Sequence, residues 1–324
     1  MKKLYILMAI ILLSMPAQAQ QQPEDVLNAI VKIKATIPIE ARTAGILGTT
    51  REGNGALIDS AGHILTIGYL VLEANRIEVV NQKGKTFEAT FIGYDHQTGF
   101  GIVRSNENLG VEPIKIGHSA PLKQGDPILV AGHGGTDAVQ GVRVISRGEF
   151  TGYWEYLLEN AIYTAPPYSS YGGAALIGPQ GKLLGIGSIF TQKPISGLGI
   201  IPCNMFVPID LLQPILEDLI RSGRPSTPPQ PWLGLSVEET HGRVIVMRVT
   251  SGGPAEKAGL KTGDIILAVN KNSVAGLSDF YRKVWSLGKA GVSVPLSVLK
   301  DIRIHEVVVQ SGDRYRYFEM RAKQ

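Results

Sequence analysis

Short apolar runs, several alternating with polar residues and most closed by Gly, Asn or Asp, recur along the chain at strand length rather than helix length. After a polar stretch from Gln20 to Asp25, the residues Val26, Leu27 and Ile30 predict a helix start that passes into a strand through Val31, Ile33 and Ala35. Gly53-Asn54-Gly55 leads into Ala56-Leu57-Ile58, a turn at Asp59-Ser60-Ala61-Gly62 and a second strand His63-Ile64-Leu65-Thr66, which together predict a tight hairpin. Further strands are expected over 76–80, 86–94, 101–103 and 112–116. A second series follows over 127–131, 141–147, 161–164, 174–177, 183–189 and 199–207. Two groups of about six short strands predict a pair of β-barrels. Leu212, Ile215, Leu216 and Leu219 then recur at helical spacing, with Asp210 as the expected cap and Gly223 as the stop.

Arg224 to Pro231 reads Arg-Pro-Ser-Thr-Pro-Pro-Gln-Pro, a density of proline that neither a helix interior nor a sheet accepts. It predicts a semi-rigid linker over 224–231. Beyond it the chain has the length of one small domain, with strands expected over 235–237, 244–249, 265–269, 292–299 and 306–309 and short helices over 254–258 and 278–287. Pro295 inside one of these strands implies an edge or a position without a ladder hydrogen bond. The tail Arg314-Tyr315-Arg316-Tyr317-Phe318 interleaves basic and aromatic residues, but Asp313 and Glu319 flank it, so an exposed last strand or extension is expected.

Composition narrows the class. A chain of 324 residues suits two or three domains, and 38 Gly with 19 Pro and 19% charged residues suits a turn-rich, mostly β protein. Lys+Arg 32 against Asp+Glu 28 gives a formal charge of +4, and two of those lysines stand at positions 2 and 3, so charge does not point to nucleic acid. Lys2-Lys3, the apolar run from Leu4 to Leu13 and Ala17-Gln18-Ala19 predict a secretory signal peptide over 1–19 with cleavage before Gln20, hence a location across the inner membrane and no stable membrane insertion. Cys203 stands alone, so no intramolecular disulfide can form, and a buried unreactive thiol is expected. The histidines show no metal spacing, and neither a metal nor a cofactor is expected.

One stretch has the form of a catalytic turn without its reactive atom. Ser169-Ser170-Tyr171-Gly172-Gly173-Ala174-Ala175-Leu176 is a glycine-rich turn opening an apolar strand, a device that can hold a nucleophile at its apex and aim backbone N–H groups at an oxyanion. Neither Gly172 nor Tyr171 supplies a suitable nucleophile.

The chain resembles the HtrA (Deg) family of envelope proteases, which join a trypsin-like double β-barrel to one or two PDZ modules. The likeness is carried by Gly53 to Thr66, by Asn204-Met205-Phe206-Val207-Pro208-Ile209-Asp210 through Gly223, by Trp232-Leu233-Gly234-Leu235 and by Gly253-Pro254-Ala255-Glu256-Lys257-Ala258-Gly259-Leu260 through Ile266. Set against the family's catalytic pattern, Tyr69 takes the place of the histidine, Gly99 that of the acidic residue and Gly172 that of the serine. The expectation is a degenerate triad over 20–223. A displaced dyad of His96 with Ser169 or Ser170 is the active alternative. For residues 232–324 the resemblance implies a PDZ domain with a short extension. Its loop at Trp232, Leu233, Gly234 and Leu235 would hold a peptide carboxylate, and an apolar pocket beside Phe280 and Val284 would select the last side chain. The partners implied are C-terminal or extended peptides of envelope proteins, with a homotrimer or an assembly with an active relative, in the periplasm. Lys300-Asp301-Ile302 stands where the family often turns through glycine.

Overall fold

The computed structural model describes residues 23–318; the predicted signal peptide lies outside the described residues. A short helix α1 (Pro23–Asn28) leads into β1 (Ile30–Thr36). In that strand Ile33 and Ala35 point inward while Lys32 and Lys34 alternate with them, the period of a half-buried strand. After the single turn α2 (Ala44–Leu47) come β2 (Thr50–Leu57), β3 (His63–Ile67), β4 (Arg76–Val80), β5 (Thr86–Tyr94) and β6 (Phe100–Ser105). They close into an antiparallel barrel in the order β1-β2-β3-β6-β5-β4. The second barrel is built from β7 (Pro127–Ala131), β8 (Val139–Gly152), β9 (Tyr156–Ala165), β10 (Ala175–Ile177), β11 (Leu183–Ile195) and β12 (Gly199–Pro208), in the order β10-β11-β12-β9-β8-β7. Closure leaves neither barrel an open edge.

The barrels are followed by helix α3 (Leu216–Ser222), which ends on Gly223 in the left-handed region at φ 75°, the conformation a helix stop favours. The run 224–231 carries no helix or strand. Then come β13 (Leu235–Thr240), β14 (Arg243–Val249), α4 (Pro254–Lys257), β15 (Ile265–Val269), β16 (Asn272–Ser273), α5 (Leu277–Ser286), β17 (Ser293–Lys300), β18 (Arg303–Gln310) and the turn α6 (Arg314–Tyr317). The sheet order is β13-β14-β15-β17-β18 with β16 beside β15, and its core includes Phe280, Tyr281 and Val284 of α5. The fold is therefore mostly β: a trypsin-like double barrel and a C-terminal PDZ-like sheet.

Three local expectations are corrected, and at Pro295 the second of the two expected placements is found. The segment 112–116 is not a strand; it makes a single bridge, Ile116 with Leu183. Asp210 does not cap α3, because its carboxylate accepts from Ser119 N (2.8 Å), Ser119 Oγ (2.7 Å) and Ala120 N (2.7 Å). Pro295 lies in an interior strand. Its carbonyl accepts from Asn270 N–H just beyond β15, and since N–H and C=O of a strand residue face the same side, the missing donor falls off the end of that ladder. The tail is neither strand nor free extension: α6 packs back onto both domains. Cys203 is fully buried, and burial pushes its thiol up to about 11.

Candidate functional site

The turn that opens β10 is stitched to the first barrel by Asn54, a buried residue of β2. Its Nδ2 donates to Ser170 O (2.7 Å) and Gly172 O (3.2 Å), its backbone N–H donates to Gly172 O (2.8 Å), and its Oδ1 accepts from His133 N–H (2.8 Å). Thr66 Oγ1 on β3 in turn donates to Asn54 O (2.7 Å). Gly173 must be glycine twice over: its φ is +73°, and a Cβ there would collide with the Asn54 carbonyl oxygen.

Tyr69 and Gly172 lie against each other, and Gly99 adjoins the turn that carries Tyr69. Tyr69 sits in the 3-10 turn Gly68–Leu70 that follows β3. Its hydroxyl crosses between the barrels to donate to Ser188 O on β11 (2.8 Å). A Cβ placed on Gly172 would stand 2.8 Å from that same hydroxyl oxygen, so the phenol occupies the space a side chain at the apex would need. Burial, and then the neighbouring Tyr171, push the Tyr69 pKa up, so the group is a neutral donor and not a base. Gly99 adjoins the same turn: its carbonyl accepts from Gly68 N–H (2.7 Å), and its own φ is +80°.

His96 and the serines are not brought together. The His96 ring lies edge-on to Tyr94 (4.6 Å between centroids) and to Tyr315 of α6 (4.4 Å), and neither ring nitrogen has a hydrogen-bond partner. Burial, aided by the charge of Arg314, holds its pKa well below the usual value. The adjacent Asp95 carboxylate accepts from Thr98 N (2.8 Å), Gln97 N (3.2 Å) and Tyr315 Oη (3.0 Å) instead. Ser170 Oγ accepts from Asn54 Nδ2 (3.2 Å). Three other imidazoles are engaged elsewhere: His63 with Asp59 (2.7 Å), His118 with Asp210 (3.1 Å) and His133 with Asn81 O (2.9 Å).

In the C-terminal domain, the backbone N–H groups of Leu233, Gly234 and Leu235 converge as expected of a carboxylate-binding loop, and they are already engaged. They donate to the side-chain carboxylate of Glu155 at 2.9, 2.7 and 2.9 Å. Glu155 stands in the turn between β8 and β9 of the second barrel, with φ 56°, a left-handed conformation uncommon for a residue with a side chain. The same turn reaches along the groove between β13 and α5. Val237 N–H donates to Tyr153 O (2.9 Å), Tyr281 Oη donates to Gly152 O (2.9 Å), and Glu155 N–H donates to Tyr281 Oη (3.1 Å). Arg314 Nη1 donates to Glu155 O (3.3 Å). Burial pushes the Glu155 pKa up, while the three N–H donors and Arg314 pull the other way.

Of the residues expected to bind peptide, Trp232 is placed differently from the other three in the loop: it exchanges backbone bonds with Gly312 and packs its ring on Tyr317 (4.5 Å). Phe280 and Val284 are wholly buried in the domain core, where Leu157 of β9 packs against the same cluster. Sequence reasoning missed Glu155, Tyr281 and Arg314. The one signal available was the aromatic run Tyr153-Trp154-Glu155-Tyr156 with an acid at its centre.

The trypsin-like peptidase domain family matches residues 53–186 and the PDZ domain family residues 231–310. Among its relatives, serine endoprotease DegS of Salmonella typhimurium is 26% identical over 267 residues, covering 77% of this chain and 73% of that protein. A probable periplasmic serine protease do/HhoA-like of Haemophilus influenzae is 30% identical over 276 residues, covering 79% of this chain but 57% of the relative. Similar solved structures include the serine endoprotease from Yersinia pestis (TM-score 0.53, 22% identity, 90% of this chain and 98% of that one). Another is the HtrA-type protease AlgW with decapeptide (TM-score 0.53, 20% identity, 90% and 98%). At these identities the structural likeness speaks to the fold.

Proposed function

We propose that the chain, a trypsin-like peptidase domain followed by a PDZ domain in the manner of the HtrA/Deg proteins, is a catalytically inactive member that binds peptides or unfolded envelope proteins through its PDZ domain. The domains would be a signal peptide over 1–19, the barrels over 20–223, a linker over 224–231 and the PDZ domain with its extension over 232–324. One observation carries the reading: at the serine position Gly172 has no side chain, and the Tyr69 hydroxyl stands where one would go. Acyl transfer needs a nucleophile and a base that takes its proton, and a neutral phenol with a raised pKa is no such base. In subtilisin, loss of the nucleophile or the base costs about 10⁶ in rate, roughly 8 kcal/mol of barrier, so either change alone is enough to silence the site.

The PDZ loop supports the binding half of the proposal, because its three N–H groups already hold a carboxylate. The periplasm is the proposed location, in line with the periplasmic relative. Assembly as a homotrimer or with an active relative belongs to the same proposal, and sedimentation of the chain with and without such a relative tests it. The decisive experiment is incubation of the folded protein, residues 20–324, with a fluorophosphonate probe and with casein. The expected result is neither labelling nor cleavage. Casein cleavage that disappears in Ser169→Ala or Ser170→Ala would establish the opposing reading, an endopeptidase with a displaced triad.

A further inference from the structure

The Leu233-Gly234-Leu235 loop is not vacant, and what fills it has the chemistry of the ligand such a loop takes. All three amide N–H groups converge on one carboxylate, and two of them share a single oxygen, Glu155 Oε1. The chain leading to that carboxylate also behaves as a bound peptide would: the Tyr153 carbonyl takes a hydrogen bond from Val237 N–H on β13, the first contact of strand addition to that edge. Tyr281, on the opposite wall of the groove, accepts from Glu155 N–H and donates to Gly152 O, fixing both ends of the turn. The left-handed backbone of Glu155 costs free energy in a residue that bears a Cβ, and here it is what carries the carboxylate into the loop.

We propose that the turn Gly152 to Glu155 is a tethered ligand of the PDZ domain, and that a polypeptide with a free terminal carboxylate binds this protein by displacing Glu155. This rests on the reading of the PDZ domain as a peptide-binding module and adds its regulation. A ligand on a short tether acts at an effective concentration of roughly millimolar. An incoming peptide therefore sees only the fraction of molecules whose turn has swung out, and its apparent Kd rises by the inverse of that fraction. The site thus rejects weak or abundant chain ends and admits those whose last residues hold the groove well enough to replace Tyr153 and Glu155 together. An amidated chain end lacks the second oxygen and the charge, and it does not compete.

The test uses residues 20–324 as wild type, as Glu155→Gly and as Tyr281→Phe. Glycine accepts the φ of 56° without strain, so Glu155→Gly keeps the turn and removes only the competing side chain. Tyr281→Phe leaves Glu155 in place and removes the hydroxyl that pins the turn. The probe is a pool of fluorescein-labelled decapeptides of random sequence ending in Val, Leu or Phe, made as free acids and as amides and followed by anisotropy. Amide hydrogen exchange at Leu233, Gly234 and Leu235 is measured in parallel without peptide. The expected result is about tenfold or greater tightening for the free acids in Glu155→Gly, a smaller gain in Tyr281→Phe and none for the amides, with faster exchange at the three loop amides in both variants. Equal free-acid affinity and equal exchange in all three proteins overturn the tethered ligand while leaving the peptide-binding reading intact. Free acids that bind none of the three proteins overturn both.

Discussion

Tyr69 and Gly172 face each other: the Tyr69 hydroxyl stands where a side chain at Gly172 would go. Placing serine at the apex is therefore not expected to create a working nucleophile. In Gly172→Ser the new Cβ meets the Tyr69 hydroxyl at 2.8 Å, and either Tyr69 gives up its bond to Ser188 or the turn shifts. The expected outcome is no casein cleavage and a loss of about 1–3 kcal/mol of stability by urea titration, the usual cost of forcing atoms into a filled site. The opposite sign is expected at Ile302. This β-branched residue is almost fully exposed and sits at φ 65° beside Asp301 at φ 43°, in the two-residue turn between β17 and β18. Such a turn favours glycine, so Ile302→Gly should stabilise the chain by about 1 kcal/mol in the same titration. At Cys203 burial and a pKa raised to about 11 predict no reaction with a thiol reagent in the native protein and one reacting thiol after denaturation.

At the scale of elements, α6 covers His96. Tyr315 donates from its hydroxyl to Asp95 and accepts from His96 N–H, while Arg314 reaches Glu155 O. Around the imidazole stand Tyr94 and Asp95 from β5 and the residue after it, and Arg314, Tyr315 and Phe318 from the tail. The folded pKa lies below the unfolded value of about 6.5, so the stability contributed by neutral His96 is complete above that pH and is lost as pH falls below it. Unfolding free energy should therefore fall by up to about 1.4 kcal/mol per pH unit below pH 6.5 on account of this one group. His96→Leu should remove that one-proton slope, and an unchanged slope would show that the ring titrates freely.

The strands were legible because their burial alternates, as at Ile33 and Ala35 or Val294, Leu296 and Val298, or runs continuously, as from His63 to Ile67. Tyr69 and Gly172 were picked out by the spacing around Thr66 and around Gly172-Gly173, and the two do lie against each other. What escaped the sequence were contacts made across long separations. Asp210 reads as a helix cap until Ser119 is seen beside it, and the basic and aromatic tail reads as exposed until Asp95 and His96 are seen beneath it. Glu155 is an ordinary acid in a hairpin turn unless the position of the Leu233 loop is known.

Across the whole molecule, the barrels and the PDZ domain are joined by more than the proline run. Glu155 on one side holds three N–H groups on the other, Leu157 of β9 packs against the PDZ core, Arg282 of α5 pairs with Glu149 of β8 (2.6 Å), and α6 lies over the seam. Of these, the exposed Arg282–Glu149 pair contributes little, since surface ion pairs yield at most about 1 kcal/mol. The buried carboxyl group matters more, because opening the seam leaves three amides and that group to be rehydrated while Leu157 is exposed to water. Linked domains ordinarily move and unfold independently unless their interface is well packed. A seam closed by Glu155 and strapped by Tyr315 should instead couple them, giving a single calorimetric transition in the wild type. Replacing both, as Glu155→Gly with Tyr315→Ala, should split that transition in two, with the PDZ domain melting first because its smaller core buries less apolar surface. A wild-type protein that already shows two transitions would mean that the domains are not coupled, and a double variant that keeps one would mean that they are coupled through something other than this seam.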